Sequence, residues 1–333
     1  MLLSKKNYVL SAVVTVLVLS LALTGCGSIS GAVKSFLRDE AFPTLPPAEI
    51  ATYVLDLSGS TNAIAQLNAL NSGIDEFVSG KSLGNPFSKP KVKPLGLSMQ
   101  FITLSSGQAP RFLLVSAEAS HDLYNWMVTN IPNINQAEPL WKGFIRAREI
   151  VYADKTYVDL QSCVNKSIEL FGKQSKSAEV LQIPARIICI DASKTASALE
   201  SLQNFTDRPD VPLGSDVFGA VRIAVNNMTR ASEEFGGARV TIAIASDMID
   251  ENPKRKMMER LVDKNFDACK TGNEYSVEDF GEIPALSNLR IVLVSLENTS
   301  MYKNAIENNR IFWKCYFQKG GAEVKEAPDL AGY

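Results

Sequence analysis

The chain contains one histidine, His121, among its 333 residues, and it has no Cys-x-x-Cys pair. Structural zinc sites are built from closely spaced cysteines and histidines, so this composition excludes a zinc finger or a zinc ribbon. The sequence also lacks G-x-x-x-x-G-K-[ST] and a usable G-x-G-x-x-G. Neither of the common phosphate-cradling loops is therefore present, and nucleotide binding through them is excluded.

A strong charge of either sign is absent as well. The chain carries 34 Lys and Arg against 36 Asp and Glu, a formal net charge of −2, and 46% of its residues are hydrophobic. Nucleic-acid-binding domains are typically basic, and disordered chains are poor in apolar residues. We therefore expect a globular body with no nucleic-acid partner.

Two hydrolase classes lack the residues that they need. A phosphatase of the haloacid dehalogenase type requires a second aspartate two residues after the first, and that position is Ser58 after Asp56. A serine hydrolase needs Gly-x-Ser-x-Gly and a histidine base, but Ser58 lies in Asp-Leu-Ser-Gly-Ser and His121 is an unsupported candidate. We predict that the protein is not an enzyme.

The one long apolar run lies at the N-terminus. Lys5 and Lys6 precede Val9–Leu23, which is too short for an ordinary spanning helix and is flanked like a secretion signal. The segment ends in Leu-Thr-Gly-Cys at Cys26, which resembles a bacterial lipobox. The resemblance implies a signal peptide over 1–25 and lipidation of Cys26. An uncleaved signal anchor and an ordinary signal peptide are the alternatives.

A lipid anchor would place the rest of the chain outside the cytoplasm, in the cell envelope. Residues 26–50 are rich in proline and small residues and predict a spacer behind the anchored cysteine. No second run of about 18 or more apolar residues follows. Gly27 is not the aspartate associated with inner-membrane retention, so the outer membrane is favoured if the source is Gram-negative.

Residues 51–325 alternate short apolar runs with segments of helical periodicity. This pattern predicts an α/β fold, a doubly wound and mostly parallel sheet with helices on both faces. An inserted segment is expected at about 81–185, with a hairpin at 97–117 and helices at about 137–173. Further helices are expected over 216–235, 255–270 and 301–318. The predicted strands are Thr52–Leu57, Leu97–Leu104, Phe112–Ala117, Arg186–Ile190, Val240–Ala245 and Arg290–Leu296.

Oxygen-bearing side chains follow two of these strands and open one of the helices. Asp56, Ser58 and Ser60 leave the first strand at every second position, and Asp247 follows Val240–Ala245. Ser215 stands at the start of the helix 216–235, as its N-cap or with its hydroxyl pointing outward. Because the carboxyl ends of parallel strands meet at one edge, these groups are expected to converge there. Such hard oxygens suit a small divalent cation.

This order of residues resembles the metal-ion-dependent adhesion site of von Willebrand factor A domains, which include the integrin I domains. The resemblance implies a doubly wound α/β fold with Mg²⁺, or Mn²⁺ or Ca²⁺, above the sheet. Ser58 and Ser60 would bind the ion directly, and Asp56 and Asp247 largely through water. Ser215 stands where the family has threonine. Met248, after Asp247, stands where the family commonly has glycine.

An ion held by hydroxyls and water-bridged carboxylates keeps an electrophilic position. An Asp or Glu carboxylate of a protein partner would fill it. The sequence thus predicts a membrane-anchored, extracytoplasmic binding protein with a Mg²⁺-type adhesion site. The alternative is a scaffold lipoprotein that binds partners through its inserted segment without the metal.

Four cysteines remain after Cys26, and they could pair in three ways. The apolar run around Cys189 predicts a small buried core residue there. Spacing does not select a pairing. The four are Cys163, Cys189, Cys269 and Cys315.

Overall fold

The structure is a computed structural model. It describes residues 42–56, 74, 77, 79–102, 116–171, 177–206, 215–251, 254–282, 286–294 and 303–328, with the backbone alone for 202–206. The strands are β1 (Glu49–Asp56), β2 (Leu95–Ile102), β3 (Arg239–Ala245), β4 (Leu289–Val294) and β5 (Glu323–Ala327). The helices are α1 (Ala117–Asn130), α2 (Ile134–Ala153), α3 (Leu160–Leu170), α4 (Ala178–Thr206), α5 (Val217–Glu234), α6 (Met257–Leu261), α7 (Ala268–Phe280) and α8 (Lys303–Lys319).

The five strands form one sheet in the order β2-β1-β3-β4-β5, and every neighbouring pair is parallel. The order turns back at the β1/β3 boundary, because the chain passes from β1 to β2 on one side and from β3 to β4 and β5 on the other. Open α/β sheets bind ligands outside the carboxyl ends of strands at such a point. The predicted α/β fold is confirmed.

Both faces of the sheet are covered, which explains why its central strands are continuous apolar runs rather than alternating ones. On one face, Ile50 and Val54 of β1 pack in a core that includes residues of α5 and α8. On the other, Tyr53 and Leu55 pack with Phe77 and with residues near the end of α4. Helices thus lie on both faces, as a doubly wound arrangement requires.

The predicted strand Arg186–Ile190 is wrong, because these residues lie inside the long helix α4. The β-branched isoleucines of this run resemble a buried strand when the run is viewed alone. The buried positions continue at helical spacing on both sides of it, through Leu181, Ala185, Ile188 and Ala192. A window longer than the run would have revealed this period.

Four of the other predicted strands are observed. Those at 52–57, 97–104, 240–245 and 290–296 fall on β1, β2, β3 and β4. Ala117 begins α1 rather than ending a strand, and residues 112–115 lie outside the described residues. The edge strand β5 has no counterpart among the predicted elements.

Helices α1 to α4 form a bundle between β2 and α5 in the sequence, with an apolar core of its own. The fully buried Trp141 and Phe144 of α2 are central members of this core. A disulfide between Cys163 of α3 and Cys189 of α4 joins two of the helices. Cys189 is buried, in agreement with the sequence prediction.

The second disulfide joins Cys269 of α7 to Cys315 of α8. Each bridge therefore lies within one pair of neighbouring helices. Among the described residues, no helix is both long and apolar enough to cross a membrane. Val9–Leu23 and Cys26 lie outside those residues.

Gly272 lies where α7 crosses α8 closely. A Cβ at this position would overlap the backbone carbonyl oxygen of Phe312 and lie 3.2 Å from the nitrogen of Tyr316. Alanine normally favours a helix over glycine by about 1 kcal/mol. Here we expect the opposite sign: Gly272→Ala should lower the free energy of unfolding by about 1–3 kcal/mol in a urea titration, because the helices must separate.

Gly143 of α2 supplies the matched control for that measurement. Its added Cβ would meet only the Cα and carbonyl oxygen of Phe171, both at an ordinary 3.7 Å. Gly143→Ala should therefore raise the free energy of unfolding by up to about 1 kcal/mol. A gain of stability in both variants would contradict the close α7–α8 contact.

Candidate metal centre

Asp56 is the last residue of β1 and is fully buried. Ser246 Oγ donates a hydrogen bond to its Oδ2 at 2.7 Å. This contact follows from the register, because Leu55 pairs with Ala245 and the next residues therefore leave the sheet side by side. The switch point between β1 and β3 thus carries a carboxylate and a hydroxyl in direct contact.

Ser215 brings a second hydroxyl to the same carboxylate. Its Oγ lies 3.4 Å from both Oδ1 and Oδ2 of Asp56. Asp216, rather than Ser215, caps α5, since its Oδ1 accepts a hydrogen bond from Gly219 N at 2.9 Å. Of the two alternatives for Ser215, the structure has the hydroxyl directed away from the helix cap and toward Asp56.

The loop after β3 holds the start of α5 in place. Asp250 is buried, and its Oδ2 accepts a hydrogen bond from Phe218 N at 3.2 Å. Glu251 N donates to the carbonyl oxygen of Ser215 at 3.0 Å. These two contacts fix the distance between the Ser215 loop and the end of β3.

Asp247 lies in the same loop, 3% exposed. Its Oδ1 accepts a hydrogen bond from Ile249 N at 3.1 Å, while its carbonyl oxygen accepts one from Asn309 Nδ2 at 2.7 Å. Trp313 Nε1 donates to the carbonyl oxygen of Met248 at 2.8 Å. Two buried side chains of α8 therefore hold the backbone on which Asp247 is carried.

Met248 adopts a left-handed backbone conformation, with φ of +59°. Glycine adopts this conformation without strain, whereas a residue with a Cβ pays a cost of roughly 1–2 kcal/mol. The Met248 N–H donates to Ser246 Oγ at 2.8 Å, and its side chain is fully buried. The loop thus keeps a turn typical of glycine although it carries methionine.

Of the five predicted metal ligands, the structure brings Asp56 and Ser215 into contact and places Asp247 in the adjoining loop. Ser58 and Ser60 lie outside the described residues. Sequence reasoning missed Ser246, whose Oγ lies 2.7 Å from Asp56 Oδ2. Only the β1/β3 register identifies it, since nothing in the local pattern Ile-Ala-Ser-Asp distinguishes it from a loop serine.

The groups at this edge are carboxylates and hydroxyls, the oxygen ligands that Mg²⁺, Mn²⁺ and Ca²⁺ prefer. In the described part of the chain, no three His, Cys, Asp or Glu residues stand close enough together to hold a metal ion. The serine hydroxyls are further oxygen donors beside Asp56. The donor chemistry fits a hard divalent ion bound through few charged groups.

No protein-family model matches the chain. No curated protein matches it either. Among solved structures it is similar to the human COPII-coat protein Sec24c, with 9% sequence identity and a TM-score of 0.32. The match covers 86% of this chain and 30% of that one, so the chain spans less than a third of that protein. The parallel α/β sheet is established by the strand pairing itself.

Proposed function

We propose that the protein binds a partner protein through a divalent cation held at the carboxyl edge of β1 and β3. The observation that carries the proposal is the position of Ser215 Oγ, 3.4 Å from each oxygen of the buried Asp56 carboxylate. Hydroxyl–carboxylate hydrogen bonds are usually about 2.5–2.7 Å long. The Ser215 hydroxyl is thus close to Asp56 without a strong bond to it, and its oxygen remains available as a ligand.

Residues from three loops would hold the ion. Asp56 and Ser215 would supply a carboxylate and a hydroxyl, and Asp247 would supply a second carboxylate. The resemblance to the adhesion site assigns the remaining hydroxyls to Ser58 and Ser60. With so few formal charges around it, a bound Mg²⁺ would supply an electrophilic position for an Asp or Glu carboxylate of the partner. Asp56 itself is fully buried and is therefore shielded from solvent.

The location belongs to the proposal too. The Leu-Thr-Gly-Cys sequence ending at Cys26 supports a lipid anchor, and the spacer 26–50 would separate the sheet from the membrane. Several acyl chains hold a protein on a bilayer far more firmly than one. We therefore propose that the protein is a tethered, extracytoplasmic receptor of the cell envelope.

The test is a calorimetric titration of the purified full-length chain with Mg²⁺ and Mn²⁺. Asp56→Asn keeps the side-chain size and removes the charge, so we expect cation affinity to fall roughly ten-fold or more. Ser215→Thr should retain binding, because the hydroxyl is preserved. Asp154→Asn, an exposed change in the turn after α2, is the control and should bind as the parent does. A parent chain that binds neither cation would refute the proposal.

The second candidate function, partner binding through the inserted segment at about 81–185 without metal, also has an observation in its favour. The bundle exposes apolar side chains, with Val158 81% exposed, Ile183 59% and Leu160 41%. Exposed apolar side chains at neighbouring positions, such as Val158 and Leu160, are typical of interaction surfaces. Partner binding that persists in chelator and is lost in Val158→Ser would favour this candidate.

A further inference from the structure

Two arginines lie beside the first turn of α5. The Cζ atom of Arg255 lies 3.8 Å from the centroid of the Phe218 ring, a cation–π stack. Arg222 follows Phe218 by four residues and therefore lies on the same face of α5, one turn on. Both guanidinium groups approach one carboxylate, that of Asp279 in α7, at 3.6 Å for Arg222 and 3.9 Å for Arg255.

Among the described residues, few acceptors lie near the N–H groups of these arginines. Each guanidinium has five donors, and the two distances to Asp279 are too long for hydrogen bonds. Within the described residues, neither arginine donates a hydrogen bond. The side chain of Arg255 is 24% exposed and that of Arg222 48%. Both therefore present unmatched donors at the surface while the stack fixes the plane of one of them.

The charges around the pair do not balance. The Asp279 side chain is 5% exposed, and its Oδ2 accepts a hydrogen bond from Tyr316 Oη at 2.6 Å. Burial and then Asp279 raise the pKa of Tyr316 well above its usual value, so the phenol stays neutral, while Arg255 and Arg222 act in the opposite direction. The guanidinium groups of Arg222 and Arg255 thus share one carboxylate, and one further negative charge would neutralise these three groups. A third arginine, Arg260, donates a hydrogen bond to Tyr275 Oη.

We propose that Arg222 and Arg255 form a binding site for a carboxylate, and that its ligand is an acidic side chain of the partner protein. A carboxylate is planar and singly charged, so it matches the fixed guanidinium plane and the missing charge together. A phosphate dianion would leave excess negative charge beside the buried Asp279. The stack on Phe218 pre-organises Arg255, so less side-chain entropy is lost on binding.

The position of the site connects it to the candidate metal centre. Phe218 follows Ser215 by three residues and is held by Asp250 of the same loop as Asp247. Arg255, stacked on Phe218, therefore lies beside the first turn of the helix that follows Ser215. The identity of the ligand as a partner side chain rests on the proposed function. Carboxylate binding by the two arginines does not require the cation.

The test uses the full-length chain in detergent with EDTA present, followed by NMR of the arginine Nε–Hε groups. The probe is a capped glycine pentapeptide with glutamate at its centre, and the same peptide with glutamine is its control. We expect the glutamate peptide to shift the Arg222 and Arg255 signals, and the glutamine peptide to leave them unchanged. Arg222→Lys with Arg255→Lys should weaken binding roughly ten-fold or more, because the planar donors are lost.

Arg310→Lys is the matched control variant. Arg310 is 44% exposed, similar to Arg222, but its guanidinium is already paired with Glu326 at 2.7 Å. It should bind the peptide as the parent does. No shift at Arg222 and Arg255, or inorganic phosphate binding as tightly as the peptide, would overturn the proposal. If the chain binds Mg²⁺ but not the peptide, only this inference is refuted. If it binds the peptide but no Mg²⁺, only the proposed function is refuted.

Discussion

Replacement of Asp191 by alanine is expected to lower the free energy of unfolding by about 3–5 kcal/mol, because it leaves a buried charge without its counter-ion. Arg148 is fully buried, and its Nε donates to Asp191 Oδ2 at 3.0 Å. Asp191 Oδ1 also accepts a hydrogen bond from Ser116 N at 2.6 Å. One carboxylate of α4 therefore holds both α2 and the start of α1.

Ser116 makes the effect larger than a single ion pair would. Its backbone is left-handed, with φ of +65°, a conformation that is strained for serine and persists only where surrounding contacts enforce it. Asp191 enforces it by accepting hydrogen bonds from both the backbone N–H and, at 3.2 Å, the hydroxyl of Ser116. Without that carboxylate, the entry of the chain into α1 is expected to relax.

Urea unfolding of three variants tests this expectation. Glu118→Ala removes the exposed pair between Lys194 and Glu118, which join at 2.7 Å, and should cost less than about 1 kcal/mol. The double variant Arg148→Met with Asp191→Leu should recover much of the lost stability, since it removes both buried charges. An Asp191→Ala variant as stable as Glu118→Ala would contradict the role of the buried pair.

Loss of the Cys269–Cys315 disulfide is the other large effect expected. The bridge closes a loop of 46 residues, and the entropy of closing such a loop in the unfolded chain corresponds to about 4 kcal/mol. For Cys163–Cys189, with 26 residues, the same relation gives about 3.5 kcal/mol. Each cysteine pair changed to alanine should lower the free energy of unfolding by about these amounts under oxidising conditions.

Adding a reductant separates the stability that comes from the disulfide bonds from the stability that comes from packing of the cysteine side chains. The parent chain should lose stability when reduced, while a variant that lacks all four cysteines should not respond. Thiol counting after denaturation without reductant should detect none of these four cysteines in the oxidised parent. Four reactive thiols in that experiment would disprove both pairings.

The sequence correctly predicted the strands that are buried over most of their length. β1, β3 and β4 are short apolar runs bounded by polar residues, a pattern that indicates strands buried on both faces of a sheet. The short strand β5 could not be predicted in this way. It lies at the sheet edge, and its residues Glu323, Lys325 and Glu326 are polar and exposed. It forms through backbone pairing with β4, a contact for which its side chains carry no signal.

The sequence predicted those residues of the candidate site that lie at the ends of strands. Asp56 and Asp247 are visible in the sequence because each follows an apolar run. Ser246 and Asp250 act through register and loop packing, which are tertiary properties, and so no sequence period marks them. The cysteine pairing is also a tertiary property that the sequence does not reveal, because it depends on which helices become neighbours.

The strand order has a consequence for how the chain acquires its structure. The central strand β1 needs β3, and their paired residues Glu49 and Arg239 are 190 positions apart in the sequence (239 minus 49). Closing so long a loop is slow, because its entropy is lost before the contacts form. The helices α1–α4 lie wholly inside that loop, and so do most residues of their core, with Phe42 as an exception. We therefore expect the bundle to fold first and to shorten the effective distance between β1 and β3, so that the loop assists the assembly of the sheet that it interrupts.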